Sequence, residues 1–345
     1  MNSISREEDI NRANPISRTA LGISLLVFAI TVALPSQSQP FRGDVLVQPS
    51  HIVPGKVFVY DSVKRMGATG VINHSDASFK TLDGPRGDFS PWTIVVSGGV
   101  DILFYDGNSG HAAIGQVNSA GVFRTTTSIP NGQIEPGYTH ITFHKGFYLL
   151  YRDDTGFARV GNVGPSGFRF YNTWNGSFPT HWSHIVSTPN GLLFYNQKNG
   201  SGEVAEWDPV RTGGGFGQIT QVNLKRLKPY PGGFDRGWTA LVNTSRGVLF
   251  YRKDAGRSVM VDVDTDGTVT TRSRSEKTIP TGYDSILSQN DDVLLYDKES
   301  GDVIIASFPD VLSLGNSMAI RKTYSAYFSP GWSSLVATVD PTIIH

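Results

Sequence analysis

Histidine is the side chain most ready for metal or proton chemistry near neutral pH, and three of the eight in this chain fall at one recurring place. His51, His140 and His184 stand inside Pro49-Ser-His-Ile-Val53, Tyr138-Thr-His-Ile-Thr142 and Trp182-Ser-His-Ile-Val186. Equivalent positions of a repeat can bring side chains toward a common axis, where imidazoles would share a metal or an anion. The simpler alternative is a set of half-buried rings hydrogen-bonded to neighbouring strands. A second chemistry is carbohydrate stacking, in which the C–H face of a sugar lies on an aromatic ring while planar polar groups take its hydroxyls. Trp174, in Tyr171-Asn-Thr-Trp-Asn175-Gly-Ser177, and Trp207, just ahead of a turn-rich stretch over 208–217, stand outside the recurring pattern and are expected to be exposed. Trp174, Asn175, Trp207, His140 and His184 are thus the expected ligand-binding residues. A third pattern, Asp262-Val-Asp264-Thr-Asp266-Gly267, imitates the start of a calcium loop, but Ser273 stands where the bidentate Glu belongs, so a hairpin turn is expected and no metal site is assigned.

Other chemistries are excluded or unsupported. The chain has no cysteine, which removes disulfides, thiolate zinc, iron–sulfur clusters and thiol nucleophiles. No nucleophile elbow, His-Glu-x-x-His, phosphate loop or dinucleotide fingerprint occurs, so no cofactor is expected. With 30 Lys+Arg against 30 Asp+Glu the net charge is zero, and nucleic acid is not an expected partner. Carboxylates brought together by folding would still serve glycoside cleavage, which spacing alone does not reveal.

The elements that must position these residues are repeated. Trp92-Thr-Ile-Val-Val96, Trp238-Thr-Ala-Leu-Val242, Tyr283-Asp-Ser-Ile-Leu287 and Trp332-Ser-Ser-Leu-Val336 match the runs quoted above, so starts fall at 49, 92, 138, 182, 238, 283 and 332. Thirteen residues after five of the start aromatics comes a tyrosine that closes an apolar run: Tyr105, Tyr151, Tyr195, Tyr251 and Tyr296, with Tyr60 as the copy for the degenerate first start. Five of these tyrosines are followed five residues later by Gly110, Gly156, Gly200, Gly256 or Gly301. Between Trp238 and Pro280 the turn signals divide the chain into four short strands, and Leu192-Leu-Phe-Tyr195 is apolar at consecutive positions, hence on both faces. A four-stranded unit of about 45 residues that is apolar on both sides must stack radially, which predicts an all-β β-propeller. Six blades are expected, with Trp332–Val339 closing the ring; a partial seventh built from 41–48 and 332–345 is the alternative. Arg42-Gly-Asp44 and Arg86-Gly-Asp88 then read as connections between blades. Asn73-His-Ser75, Asn175-Gly-Ser177, Asn199-Gly-Ser201 and Asn243-Thr-Ser245 fit the acceptor pattern for glycosylation.

Blades carrying Trp-(Ser/Thr)-x-Ile-Val and Gly-x-Leu-Phe-Tyr over residues 49–336 resemble secreted lectin-type propellers of the tachylectin kind. The blade steps are also similar to those of Trp-Asp repeats, but the Gly-His and Trp-Asp pairs do not recur. The lectin resemblance implies weak sugar sites repeated between blades, with avidity from their number, and assigns no residue.

Ahead of the repeats, Thr19–Leu34 is an uncharged, mostly apolar run after Arg18, followed by Pro35-Ser-Gln-Ser-Gln-Pro40. This fits a secretory signal peptide over 1–38, with a single-pass signal anchor through 19–34 as the alternative. The propeller domain, 39–345, is expected outside the cytoplasm, secreted or periplasmic. The expected function is non-catalytic binding of extracellular glycans or glycoproteins; the alternatives are a propeller glycoside hydrolase or polysaccharide lyase, and a membrane-tethered interaction scaffold.

Overall fold

The computed structural model describes residues 55–164, 166–213, 217–276, 279–308 and 318–338. The signal or anchor segment, Arg42-Gly-Asp44 and the degenerate start with His51 lie outside the described residues.

Every described element is a β-strand, and the strands form six four-stranded antiparallel sheets. From the inside outward, blade 1 is Ser334–Thr338, Lys56–Asp61, Met66–Asn73 and Ser78–Arg86, and blade 2 is Ile94–Gly98, Asp101–Tyr105, Ala112–Val117 and Phe123–Ile129. Blade 3 is His140–His144, Phe147–Tyr151, Ala158–Gly164 and Gly167–Trp174, and blade 4 is His184–Thr188, Gly191–Tyr195, Gly202–Arg211 and Ile219–Tyr230. Blade 5 is Ala240–Thr244, Gly247–Arg252, Arg257–Val263 and Val269–Ser275, and blade 6 is Ser285–Gln289, Asp292–Tyr296, Val303–Ser307 and Ala319–Tyr324. The innermost strands of successive blades touch in a closed ring. The architecture is therefore a six-bladed β-propeller, with the last strand pairing Val57 with Ala337 and Val59 with Leu335 to complete the first blade. That pairing removes the two free sheet edges that an open ring would leave. It also explains why the first start is degenerate: Trp332, not the residue at 49, supplies blade 1 with its aromatic.

The second strand of each blade is buried on both sides because neighbouring sheets cover it. In blade 4, Leu192 and Phe194 pack into the core shared with blade 3, whereas Leu193 and Tyr195 pack into the core shared with blade 5. The two-residue period of a strand thus feeds two cores from one apolar run, and one such core occupies each of the six junctions.

The tyrosine that ends this strand joins the blades by more than apolar contact. Tyr60, Tyr105, Tyr151, Tyr195, Tyr251 and Tyr296 are all 0% exposed. Their hydroxyls donate to carbonyls in the segment that leads to the next blade: Ser90 (2.7 Å), Glu135 (2.8 Å), Pro179 (2.8 Å), Asp235 (2.8 Å), Pro280 (2.7 Å) and Ser329 (3.0 Å). The same oxygens accept the N–H of the start aromatic, at 3.0 Å from Trp92, 3.2 Å from Tyr138, 3.3 Å from Trp182 and Trp238, and 3.0 Å from Trp332. Burial pushes the Tyr151 and Tyr251 phenols up to about 12, so the hydroxyl keeps the proton it donates.

The glycine five residues on completes this junction. Gly200 sits at φ +73°, and a Cβ there would lie 2.2 Å from the Phe234 carbonyl oxygen, while the Gly200 carbonyl accepts the Phe234 N–H at 3.0 Å. Blade 1 carries Arg65 at this place with φ 55°, and its carbonyl accepts the Phe89 N–H at 3.3 Å. We expect Gly200→Ala to lose about 3 kcal/mol in urea unfolding, through both the left-handed backbone and the clash. Arg65→Gly should stay within about 1 kcal/mol of wild type, because relief of strain opposes the added entropy of the unfolded chain. Equal losses at the two sites would show that the turn glycine is not set by this contact.

Candidate functional site

His140 and His184 open the innermost strands of adjacent blades, and each ring reaches forward to the next blade. His140 Nε2 lies 3.0 Å from the Ser183 carbonyl and His184 Nε2 lies 3.2 Å from the Thr239 carbonyl. A carbonyl only accepts, so Nε2 carries the proton and donates, while Nδ1 stands 3.0 Å from the hydroxyl of Thr139 or Ser183. Burial holds the His184 pKa below its ordinary value, and the nearby His140 adds to that lowering. Both rings are half-buried links between blades. Among the described residues no group of three His, Asp or Glu is placed to hold a metal ion. Asp264 and Gly267 close a turn, with Asp264 N–H to Thr268 O at 2.8 Å and Gly267 N–H to Asp264 O at 2.9 Å, which is the expected hairpin.

Trp174 ends the outermost strand of blade 3 half-buried, its ring edge-on to Phe178 at 5.4 Å, and Asn175 follows exposed. Trp207 corrects an expectation. It lies inside the third strand of blade 4, only 7% exposed, because that strand continues to Arg211 instead of breaking at Asp208. Its indole N–H donates to the His144 carbonyl at 2.9 Å, so the ring belongs to the junction with blade 3. Two clefts, of about 380 Å³ beside Asp254, Arg257 and Glu276 and about 80 Å³ beside Tyr230, Phe234 and Trp238, include none of these five residues.

The same junction holds a polar cluster that sequence reasoning missed. His144, 2% exposed, ends the innermost strand of blade 3. Its Nδ1 lies 2.9 Å from Ser187 Oγ and its Nε2 lies 2.8 Å from Glu206 Oε1. Lys145 pairs with the other carboxylate oxygen, and the Trp207 backbone N–H donates to Oε1 at 2.7 Å. Burial acts to raise the Glu206 carboxyl, but hydrogen bonds from His144 and Lys145 outweigh it and hold the group at about 2. Other blades end this strand on Gly98, Thr188, Thr244, Gln289 or Thr338, and they carry Val71, Gln116, Asn162, Asp262 or Ser307 eleven residues after the tyrosine, where blade 4 has Glu206. The available signal was this departure from the repeat: one junction combines a basic and an acidic residue at its two register-matched positions. The cluster is a hydrogen-bonded clamp, with both ring nitrogens and both carboxylate oxygens engaged.

No protein-family model matches the chain, and no curated protein does. Among solved structures, a protein from Lactobacillus plantarum aligns with a TM-score of 0.52 and 11% identity, covering 82% of this chain and 99% of that one. The periplasmic gluconolactonase of Pseudomonas aeruginosa aligns with a TM-score of 0.52 and 12% identity, over 84% of this chain and 100% of that one. A putative 6-phosphogluconolactonase from Bacteroides fragilis aligns with a TM-score of 0.51 and 9% identity, over 83% and 98%. At such identities the likeness shows the propeller fold and nothing about the reaction.

The clamp has a pH consequence. The folded pKa of Glu206, about 2, lies below its ordinary 4.5, so the group contributes stability that is full above 4.5 and is lost as pH falls toward 2. Glu206→Gln should lower the urea midpoint at pH 6, by the equivalent of about 1–3 kcal/mol for a charged hydrogen-bond network, with the gap to wild type closing by pH 2. A gap that stays constant from pH 6 to pH 2 would contradict the depressed pKa.

Proposed function

We propose that this chain is an exported, non-catalytic glycan-binding propeller. The observation that carries the reading is the rim of blade 3, where the half-buried Trp174 is fixed against Phe178 and adjoins the exposed amide of Asn175. A ring anchored on one side and wet on the other offers a flat apolar surface at little entropic cost, and Asn175 supplies both a donor and acceptors for sugar hydroxyls beside it. His140 and His184 belong to the scaffold beneath rather than to this platform, since their ring nitrogens are taken up by the next blade. The placement outside the cytoplasm rests on the apolar run Thr19–Leu34, and glycans there are the abundant partners that a shallow surface suits. Supporting a non-enzymatic role is the engagement of both His144 ring nitrogens and both Glu206 carboxylate oxygens within the clamp.

A second reading, acyl-group hydrolysis, draws on the Ser187–His144–Glu206 chain of hydrogen bonds, in which His144 is placed to take the Ser187 proton while Glu206 holds the ring. A serine-directed fluorophosphonate separates the two: under the binding reading Ser187 stays unlabelled, and labelling that requires His144 would replace it.

On a glycan array the wild-type protein should retain at least one class of extracellular polysaccharide, and Trp174→Ala should weaken that binding about tenfold, the usual cost of removing an anchoring tryptophan. Retention of no glycan by the wild type, or release of new reducing ends from a labelled polysaccharide, would contradict the proposal.

A further inference from the structure

The loop that carries Trp174 has two sisters. Trp174-Asn-Gly-Ser-Phe178 in blade 3, Tyr230-Pro-Gly-Gly-Phe234 in blade 4 and Tyr324-Ser-Ala-Tyr-Phe328 in blade 6 share an aromatic at the strand end, a left-handed third residue and a buried or half-buried Phe at the fifth. The third residue is Gly176 at φ 70° and Gly232 at φ 65°, glycines suited to that backbone. Blade 6 instead places Ala326 there at φ 49°, its N–H held by the Asp302 carboxylate at 2.8 Å. The fourth residue is Ser177 and Gly233 in the sister loops, but Tyr327 in blade 6, one of the four large apolar side chains counted as exposed among the described residues, at 45%.

Tyr327 is exposed without being loose. Its hydroxyl donates to the Phe79 carbonyl of blade 1 at 3.0 Å, its ring lies 4.5 Å from that of Tyr324 at 39°, and it meets Phe79 edge-on at 6.4 Å. Tyr324 is itself tied to blade 1, accepting the Phe79 N–H at 3.1 Å, and the Lys322 ammonium lies 5.2 Å from its ring centre. The sister loops close the same turn with a hydroxyl or with no side chain at all, so the turn does not require a large ring. What the ring adds is a wet aromatic surface, immobilised in advance, against a Tyr324 ring that itself carries the Lys322 ammonium. A strained residue that positions an exposed side chain is where backbone strain and function tend to coincide.

We infer that the Tyr324–Tyr327 pair is a second saccharide platform, taking a pyranose ring of the same polysaccharide that Trp174 takes. The inference rests on the glycan-binding reading and extends it: the ligand is a polymer long enough to engage two blades, and affinity for chains exceeds affinity for short oligosaccharides because the second contact forms at high effective concentration.

The test compares wild type with Tyr327→Ser, which installs the residue of the blade 3 loop, and with Trp174→Ala. Each is titrated by calorimetry against hexasaccharides of the β-1,4-glucan, β-1,3-glucan, chitin and xylan series and is assayed for retention on the matching polymers, with thermal unfolding measured in parallel. We expect Tyr327→Ser to unfold within a few degrees of wild type and to lose at least fivefold in retention on the polymer that wild type prefers. Tyr327→Trp, which keeps a flat ring, should restore retention. Unchanged polymer retention in Tyr327→Ser, with loss in Trp174→Ala, would overturn the second platform and leave the glycan-binding reading standing. Absence of wild-type binding to every one of these probes would overturn both.

Discussion

The ring is held in register by one oxygen per blade. A propeller built only from apolar sheets would keep its blades together but would leave the segments between them with backbone groups excluded from water, and an unpaired buried group costs about as much as a hydrogen bond is worth. The tyrosine hydroxyl at the end of each second strand answers both halves of that problem, donating to a carbonyl on its way to the next blade and accepting the N–H of the residue that begins it. Because its ring is fully buried, the hydroxyl has no competing water. Nothing else in the repeat is so constant: the start residue is Trp or Tyr, the turn glycine becomes Arg65 in blade 1, and the innermost strands end on four different residue types.

That constancy determines where the chain is free to vary. Positions facing two cores must stay apolar and those at the hydroxyl must stay compatible with its geometry, whereas the strand ends away from it and the solvent-facing positions of the loops after the outermost strands carry different residues from blade to blade. The two departures of interest fall in those places. His144, Ser187 and Glu206 occupy the inner strand ends and third strand at one junction, while the half-buried Trp174 ends the outermost strand of blade 3 and the exposed Tyr327 lies in the loop after that of blade 6.

Much of the architecture was legible because the physics that builds it is periodic. The tyrosine-ended run, the glycine five residues on and the doubly apolar second strand each encode burial between two sheets, and together they give six blades and closure by the final strand. Trp207 was misread because Asp208 and Pro209 look like the end of a strand, but their backbone partners in the outermost strand, Asn223 and Val222, carry the ladder past them. His144 and Glu206 were not legible as a pair: they are 62 residues apart, and only the register of two different blades brings their atoms to 2.8 Å. The recurring histidines were legible as a position but not as a role, since whether a ring points to the axis or to the next blade depends on the tilt of a strand, which no spacing records.

The account stands on the hydroxyls, and native-state hydrogen exchange reads them directly. The backbone amides of Trp92, Tyr138, Trp182, Trp238 and Trp332 lie at the junction between a connection and a strand, where fast exchange is the rule for surface segments. If the tyrosine oxygens hold them as described, these five amides exchange as slowly as the amides of the second strands and open together with global unfolding. Exchange at the rate of ordinary loop amides, with the second strands still protected, would contradict it.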